Sequence, residues 1–214
     1  MSDVPHYGSF RPANPSAEPE TQHVDPGVRA PVYQDLSRFR VPAGFRGRPG
    51  WYVQLWWLTE ALLFRTSPQF MYAWRRAILR AFGARIGKGV IVRPTARITY
   101  PWKVAIGDHA WIGDDVTLYS LGEIEIGAHS VISQRSYLCG GDHDYASADF
   151  TIRSHPIHIG SQVWVASDVF IAPGVSIGDG AVVGARSTVL RSLCGAWLYA
   201  GSPVRAIKRR QMRG

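Results

Sequence analysis

The sequence predicts a mainly β fold in which short parallel strands wind into a coil, preceded by a short helical segment and a flexible N-terminal leader. Three observations predict it: aliphatic residues recur at every sixth position over the second half of the chain, small residues follow many of them, and prolines crowd the first 35 residues. With 46% hydrophobic residues among 214, the chain can bury one sizeable core. Disorder throughout the chain is therefore excluded.

The leader is predicted over residues 1–35. It holds six prolines and few aliphatic residues. So little apolar surface cannot offset the conformational entropy that ordering costs. We therefore expect this stretch to be flexible.

Residues 36–85 form a basic and aromatic segment that predicts two short helices. The apolar stretches are WYVQLWWLTEALLF and SPQFMYAWRRAILRAF, and Ser67 and Pro68 between them are typical of a helix start. Several tryptophans make the first stretch aromatic, and three arginines give the second a cationic face. Two interpretations stay open: a cap on the end of the core, or a contact with a membrane interface.

The repeat occupies residues 86–200. A period of six fits neither the 3.6-residue period of a helix nor the alternation of a long strand. It fits a coil in which one aliphatic per hexad points to a common axis and a small residue lets the chain turn a corner, so that three hexads complete one three-sided turn. Two-residue insertions separate the first three series. The series are Ile86, Val92, Ile98, Val104; Ile106, Ile112, Leu118, Ile124; Ile126, Ile132, Leu138; and Ile159, Val165, Ile171, Ile177, Val183, Val189.

The hexads are broken once, over residues 139–158, and a basic tail follows them over residues 201–214. The interruption is polar, and a loop leaving a rigid coil is where a functional site is expected. It carries His143 between Asp142 and Asp144. Cys139 lies nearby, but nothing in its neighbours marks it as a reactive thiolate.

The net charge of +8 is unevenly distributed along the chain. Residues 36–88 carry +9 and residues 195–214 carry +5, whereas residues 1–35 and 89–194 each carry −3. Two basic regions on a mildly acidic body suit an anionic small molecule or an anionic membrane surface better than a duplex. No DNA- or RNA-binding motif accompanies them, so no nucleic-acid partner is expected.

Other classes are excluded by what the sequence lacks. There is no Walker-type or Rossmann-type glycine motif, and two cysteines make neither a disulfide framework nor a four-thiolate zinc site. The longest nearly apolar run, residues 51–64, is shorter than the roughly 20 residues that cross a bilayer. The chain begins with no signal-peptide pattern, so we expect a cytoplasmic protein.

These hexads resemble those of the hexapeptide-repeat acyltransferases. Longer segments are similar to the sugar O-acetyltransferases of exopolysaccharide gene clusters, of the colanic acid biosynthesis type: GFRGRPGWYVQLWW, RRAILRAFGARIGKGVIVRP, ITYPWKVAIGD, ISQRSYLCGGDHDY and APGVSIGDGAVVGARSTV with AGSPVRAIKRR. The resemblance covers roughly residues 36–210. It implies a left-handed parallel β-helix that assembles as a homotrimer.

The resemblance also implies direct transfer of an acetyl group from acetyl-CoA to a sugar hydroxyl. His143 in GDHDY matches the catalytic histidine, which removes the hydroxyl proton as a general base. Asp142 and Asp144 are candidates for orienting its ring, and the sequence does not distinguish them. The sugar acceptor is either a small molecule or lipid-linked; a lipid-linked acceptor would place the enzyme at the inner face of the cytoplasmic membrane.

Acceptor-binding and cofactor-binding candidates follow from the same resemblance. Acceptor candidates are Asp115, Tyr145 and His155, with a turn aspartate and a surface histidine as alternatives for the first and last. Coenzyme A is long and anionic, so its cleft, between neighbouring subunits, needs small side chains and cations. Its candidates are Trp164, Ala166, Gly184, Ala185, Arg186, Lys208 and Arg209.

Two other functions stay open. A non-catalytic hexapeptide-repeat scaffold would use the coil for assembly alone, but it has no need of a histidine loop. A zinc-dependent enzyme of the carbonic anhydrase type would use histidines, and His109 and His129 occupy equivalent hexad positions. That family's pair of histidines five residues apart is missing, so we expect exposed turn residues that stack one coil apart, and no metal.

Overall fold

The fold is a parallel coil of about six turns preceded by two short helices, as the sequence predicts. The computed structural model describes residues 32–212, and most of the predicted leader, residues 1–31, lies outside the described residues.

The helical part contains a 3-10 turn at Leu36–Arg38, α1 at Gly50–Thr59, a π-helical turn at Glu60–Phe64, and α2 at Tyr72–Ala81, with a further 3-10 turn at Pro101–Lys103. The strands of the coil and its excursion are β1 (Arg85–Ile86), β2 (Ile91–Val92), β3 (Arg97–Ile98), β4 (Val104–Ile106), β5 (Trp111–Ile112), β6 (Thr117–Tyr119), β7 (Ile124–Ile126), β8 (Val131–Ile132), β9 (Tyr137–Cys139), β10 (Gly141–His143), β11 (Ile152–Ser154), β12 (Ile157–Ile159), β13 (Trp164–Val165), β14 (Phe170–Ile171), β15 (Ser176–Ile177), β16 (Val182–Val183), β17 (Thr188–Val189), β18 (Trp197–Ala200) and β19 (Arg205–Arg209).

Three sheets form the sides of the coil. The first sheet has the order β1-β4-β7-β12-β15, the second β2-β5-β8-β13-β16-β18-β19, and the third β3-β6-β9-β14-β17. Neighbouring strands within each sheet are parallel, except that β19 returns antiparallel beside β18. Strands β10 and β11 form a separate antiparallel pair.

The core is the column of hexad aliphatics. Every residue of the four predicted series is buried. Series residues of successive coils lie in register, as Ile86 does beside Ile106 and Ile132 beside Val165. Fully burying one such side chain stabilises the fold by about 1.5–3 kcal/mol. The two-residue shifts between series arise in the first sheet, where both ends of Val104–Ile106 and of Ile124–Ile126 point inward.

The helical segment covers the open end of the first coil. Strands β1 to β3 have no earlier coil to pair with, so their outward backbone groups need other partners. Side chains from the helices supply them: Trp56 Nε1 donates to the Ile98 carbonyl at 2.8 Å, Arg75 Nε to Val92 at 2.7 Å, Arg76 Nη1 to Val90 at 2.9 Å and Arg80 Nη2 to Ile86 at 2.8 Å. These contacts support the interpretation of the segment as a cap.

The start of the second helix differs from the prediction. It begins at Tyr72 rather than at Pro68. The Ser67 hydroxyl donates to the Phe64 carbonyl at 2.5 Å and accepts from Arg75 at 2.8 Å, so it ends the preceding turn instead of capping the next helix.

Candidate active site

The interruption of the hexads is a β-hairpin. The chain leaves the coil after β9 in the third sheet, forms β10 and β11, and returns as β12 in the first sheet. Its base is tight: a Cβ on Gly122 would lie 2.3 Å from the carbonyl oxygen of His155, so only glycine fits there. The hairpin therefore projects from the edge between the third and first sheets.

His143 ends β10, and its ring is held by a backbone carbonyl. Nδ1 lies 2.8 Å from the carbonyl oxygen of Phe150. A carbonyl can only accept, so Nδ1 carries a hydrogen, and in the neutral ring Nε2 is then the nitrogen with the lone pair. This tautomer is the one that a general base acting through Nε2 needs.

Two aromatic rings pack against the His143 imidazole. The Phe150 ring is nearly parallel to it, with centroids 4.2 Å apart and planes 9° apart. The Phe39 ring, from the segment before the helices, lies 5.9 Å away at 52°. The histidine is half-buried between polar hairpin and aromatic neighbours, which restricts its rotamers.

Asp142 is held by Arg153 and His155 rather than by the His143 ring. Its carboxylate accepts from Arg153 Nε at 3.0 Å and Nη2 at 3.3 Å, and its Oδ1 lies 3.4 Å from His155 Nε2. Arg153 Nη2 also donates to the backbone carbonyl of His143 at 3.2 Å. Asp142 and Arg153 face each other across the hairpin register, so this pair fixes β10 against β11.

Asp144 serves the loop at the hairpin tip. Its Oδ1 accepts from the backbone N–H of Ala146 at 3.1 Å, and its own N–H donates to the Thr151 carbonyl at 2.8 Å. Among the described residues, the hydrogen-bonding partner of the His143 ring is thus the Phe150 carbonyl and neither flanking carboxylate.

The three acceptor candidates occupy different places. Tyr145 is at the hairpin tip and 73% exposed. His155 follows β11 and contacts Asp142. Asp115 lies elsewhere, on an exposed corner between the second and third sheets, with a φ of 56° and its N–H bonded to the Thr95 hydroxyl at 2.9 Å.

Four of the cofactor candidates share that corner. Ala166 follows β13, and Gly184, Ala185 and Arg186 follow β16 one coil later. The N–H of Ala166 donates to the Val183 carbonyl at 2.9 Å, which stacks the two corners directly. A Cβ on Gly184 would lie 3.1 Å from the Ala200 side chain, so the corner is closely packed.

The other cofactor candidates lie on the outer face of the second sheet. Trp164 is 49% exposed, and its Nε1 donates to the Ser133 hydroxyl at 3.0 Å. Lys208 and Arg209 belong to β19 at the edge of the same sheet, where the Arg209 guanidinium lies 5.6 Å from the Trp197 ring. All seven cofactor candidates therefore occupy the second sheet or the corner that follows it, one full side of the coil away from the hairpin edge.

The other side chains considered for chemistry are placed as follows. Burial raises the pKa of the Cys139 thiol, and its Sγ donates to the Gly141 carbonyl at 3.1 Å, so it is held as a thiol. The rings of His109 and His129 stack at 5.2 Å, one coil apart, as predicted. Within residues 32–212 no group of three or more His, Cys, Asp or Glu side chains is arranged to hold a metal ion.

Comparison with known proteins agrees with this architecture. The family model described as bacterial transferase hexapeptide (six repeats) matches residues 156–191. The chain is 60% identical over 177 residues to WcaF of Escherichia coli (strain K12), which is provisionally assigned as a colanic acid biosynthesis acetyltransferase, and the match covers 83% of this chain and 97% of WcaF. The chain belongs to the hexapeptide-repeat acetyltransferases. The predicted family is confirmed.

Solved structures of hexapeptide-repeat acetyltransferases have the same fold. A maltose O-acetyltransferase from Clostridium difficile 630 is 25% identical, with a TM-score of 0.69 over 77% of this chain and 90% of that one. The acetyltransferase VCA0836 of Vibrio cholerae O1 biovar eltor, solved with acetyl coenzyme A, is 24% identical with a TM-score of 0.67, and the match covers 79% of this chain and 88% of that one. The scaffold and carbonic anhydrase alternatives are not favoured by these relatives.

Sequence patterns did not identify three residues that contact the His143 hairpin of this hexapeptide-repeat acetyltransferase. Phe150 and Arg153 lie within the interruption, but only the folded hairpin shows that the Phe150 ring stacks on His143 and that Arg153 pairs with Asp142. A cross-strand pair of opposite charges was the available signal for Arg153. Phe39 lies outside the repeat altogether, and no local pattern links it to the site.

Proposed function

We propose that the protein transfers an acetyl group from acetyl-CoA to a hydroxyl of a sugar used in exopolysaccharide synthesis of the colanic acid type. The supporting observation is the His143 ring, whose Nδ1 hydrogen is committed to the Phe150 carbonyl at 2.8 Å. The 60% identity to WcaF, over nearly all of that protein, favours the same acceptor class.

His143 acts as the general base in this reaction. Its Nε2 takes the proton of the acceptor hydroxyl while that oxygen bonds to the thioester carbonyl carbon. The carbon–sulfur bond then breaks, and the imidazolium returns the proton to the departing thiolate. Asp142 stabilises the imidazolium at a distance through its charge and keeps the hairpin rigid through Arg153. Asp144 shapes the loop that carries Phe150.

The acceptor and the cofactor are bound by separate groups. Tyr145 and His155, on the hairpin, contact the sugar, and Asp115 contributes from a corner of the coil. Ala166, Gly184 and Ala185 allow close approach of the pantetheine arm, while Trp164 lies beside it. Arg186, Lys208 and Arg209 attract the phosphates of the nucleotide. No metal takes part in the reaction.

The active enzyme is a homotrimer whose sites lie between chains. Within one chain a full side of the coil separates the His143 hairpin from the corner that carries Ala166 and Gly184. A neighbouring chain brings one edge to the other, and cyclic symmetry repeats the arrangement three times. Light scattering checks this point: a monomer with full turnover would contradict the shared site.

The decisive experiment measures thiol release from acetyl-CoA by wild type and His143→Ala, with sugars and lipid-linked sugars as acceptors. The variant is expected to lose about 10²- to 10⁴-fold in kcat while binding coenzyme A as wild type does. His158→Ala is the control, since that residue also lies on a strand, but it is exposed and its Nδ1 pairs with Glu125 at 3.2 Å. Absence of coenzyme A binding in both proteins would overturn the transferase proposal.

The protein works in the cytoplasm, with the capping helices against the membrane face that presents the acceptor. Trp51, Leu55, Leu58 and Leu62 recur at helical spacing, and each is at least 45% exposed. Arg48 and Arg65 flank them, and Glu60, the one acidic residue in the sequence between 36 and 88, bonds inward to the Ile98 N–H. Such a face lies on an anionic bilayer. No helix within residues 32–212 has the length and apolarity to span one.

Flotation with anionic liposomes tests this location. Wild type is expected to float with vesicles that contain phosphatidylglycerol, and Leu58→Ser/Leu62→Ser is expected to lose at least half of that binding. The double variant should keep its turnover on a soluble sugar. A wild type that does not float, or a variant that dissociates the trimer instead, would show that this face belongs to a second copy or to solvent.

We propose the same domain boundaries that the sequence predicts. Residues 1–35 are the leader, 36–85 the cap, 86–200 the acetyltransferase domain with residues 139–158 as its active-site loop, and 201–214 the basic tail.

A further inference from the structure

The segment before the helices reaches the hairpin at two points. The backbone N–H of Asp35 donates to the Ala148 carbonyl at 2.7 Å, and the Phe39 ring packs 5.9 Å from the His143 ring. We call residues 35–40 the strap. It connects a part of the chain that precedes both the helices and the coil to the tip and to the histidine of the hairpin.

The strap has a local structure of its own. Asp35 Oδ1 accepts from the Ser37 N–H at 3.1 Å and from the Ser37 hydroxyl at 2.6 Å, which caps the 3-10 turn Leu36–Arg38. Arg40 Nη1 donates back to the carbonyls of Ser37 and Phe39 at 2.9 and 2.7 Å. These bonds place Phe39 half-buried against the hairpin and leave Leu36 60% exposed.

The strap contacts the part of the hairpin that orients His143. The hydrogen bond that orients His143 comes from Phe150, a non-glycine residue with a φ of 50°. Side chains with a Cβ rarely adopt that conformation, and it persists only where surrounding contacts enforce it. Residues 145 and 146 at the tip are exposed, whereas residues 147–150, which include the strap's contact Ala148, are half-buried. The strap adds contacts on Ala148 and on the imidazole.

We propose that Phe39 is a positioning residue for His143. Together with Phe150 it holds the imidazole in the rotamer and tautomer that leave Nε2 able to take a proton, and the strap's bond to Ala148 steadies the loop that carries Phe150. The inference rests on the proposed role of His143 as the base. It gives the segment before the helices a part in the chemistry.

The kinetic test compares Phe39→Ala, Phe39→Leu and Phe39→Tyr, with Leu36→Ala as the matched control in the same turn. Phe39→Ala is expected to lower kcat roughly 10- to 100-fold, since small misplacements of a catalytic group have effects of this size. The KM for acetyl-CoA should change less than about twofold, because the cofactor candidates lie elsewhere. Phe39→Tyr keeps the ring and should retain most of the wild-type rate. Phe39→Leu keeps apolar bulk without a ring, so a fall in kcat in this variant, with none in Leu36→Ala, would indicate that ring stacking is required.

A spectroscopic test follows the ring itself. In full-length protein labelled with ¹⁵N-histidine, the His143 signals, assigned by their loss in His143→Ala, should report a single Nδ1–H tautomer in wild type and a mixture in Phe39→Ala. Unchanged kcat and unchanged signals in Phe39→Ala would overturn the inference. A fall in kcat that is accompanied by a fall in melting temperature, with neither restored in Phe39→Tyr, would also overturn it, because that pattern indicates only a structural role.

The two proposals fail in different ways. Full turnover in His143→Ala removes the base and with it the catalytic meaning of Phe39, and the tautomer signals still show whether Phe39 holds the ring. A strong effect of His143→Ala with none of Phe39→Ala leaves the base intact and rejects the strap.

Discussion

The coil and the hairpin that leaves it are stabilised in different ways. In the coil, each strand repeats the same two features, a buried aliphatic and backbone hydrogen bonds to the next turn. In the hairpin, contacts that do not repeat hold the structure: the ion pairs of Arg153 with Asp142 and Asp144, the Phe150 carbonyl on the His143 ring, and the Phe39 ring from a distant segment. A repeated interaction distributes stability over many residues, whereas contacts that occur once give a defined geometry on which activity depends.

The largest effect is expected from removing one buried aliphatic side chain of the coil. Ile132→Ala empties a fully buried position in the middle of the core and should lower the free energy of unfolding by about 2–5 kcal/mol. Val131→Ala changes the preceding residue of the same strand, which faces outward, and should lower the free energy of unfolding by well under half of that. Thermal or denaturant unfolding measures both. Equal losses would show that the inward column does not dominate the stability of the coil.

A smaller effect, confined to activity, is expected in the hairpin. Asp142→Asn weakens the bonds to Arg153 and His155, so β10 loses its anchor, and kcat should fall about 10-fold. The melting temperature should change by less than about 2 °C, because the coil does not depend on this pair. Asp149→Asn is the control: it removes a charge from the same loop at a half-buried carboxylate that accepts from the Ser147 hydroxyl at 2.6 Å. A large drop in melting temperature would mean that hairpin and coil unfold together.

The smallest expected effect is on the stability of the cap. Like the coil, the cap buries side chains; like the hairpin, it is held by contacts that do not repeat. Burial raises the pKa of Glu60 above its ordinary value of 4.5, so the folded state binds its proton more tightly than the unfolded state does. The ionised form therefore costs stability, and this cost appears as pH rises from 4.5 through the raised folded pKa. Glu60→Gln keeps an acceptor for the Ile98 N–H and avoids the cost.

The variant is expected to melt up to a few degrees above wild type at pH 7, with the difference shrinking as pH falls towards 4.5. Melting curves at several pH values measure it. A difference that is constant with pH would contradict the assignment to Glu60 ionisation.

The sequence predicted the coil well because its signal is repeated. Each aliphatic of the hexads, from Ile86 to Val189, predicts the same inward-facing position, so a wrong assignment at one position is outweighed by its neighbours. The place of the candidate site was also predictable, since residues 139–158 are where the repeat stops. The prediction that Ser67 caps a helix beginning at Pro68 was wrong, because the Ser67 hydroxyl accepts a hydrogen bond from Arg75, a partner that local patterns do not show.

By itself, the sequence determined the periodic burial, the three-sided coil, the position of the interruption and the histidine within it. Only the tertiary structure decided what holds that histidine: the Phe150 carbonyl in place of either aspartate, Arg153 across the hairpin, and Phe39 from the strap. The physical reason is the range of the interactions. Burial on a regular coil depends on neighbours at fixed sequence spacing, whereas the contacts of the hairpin join residues whose separation in the chain follows no period.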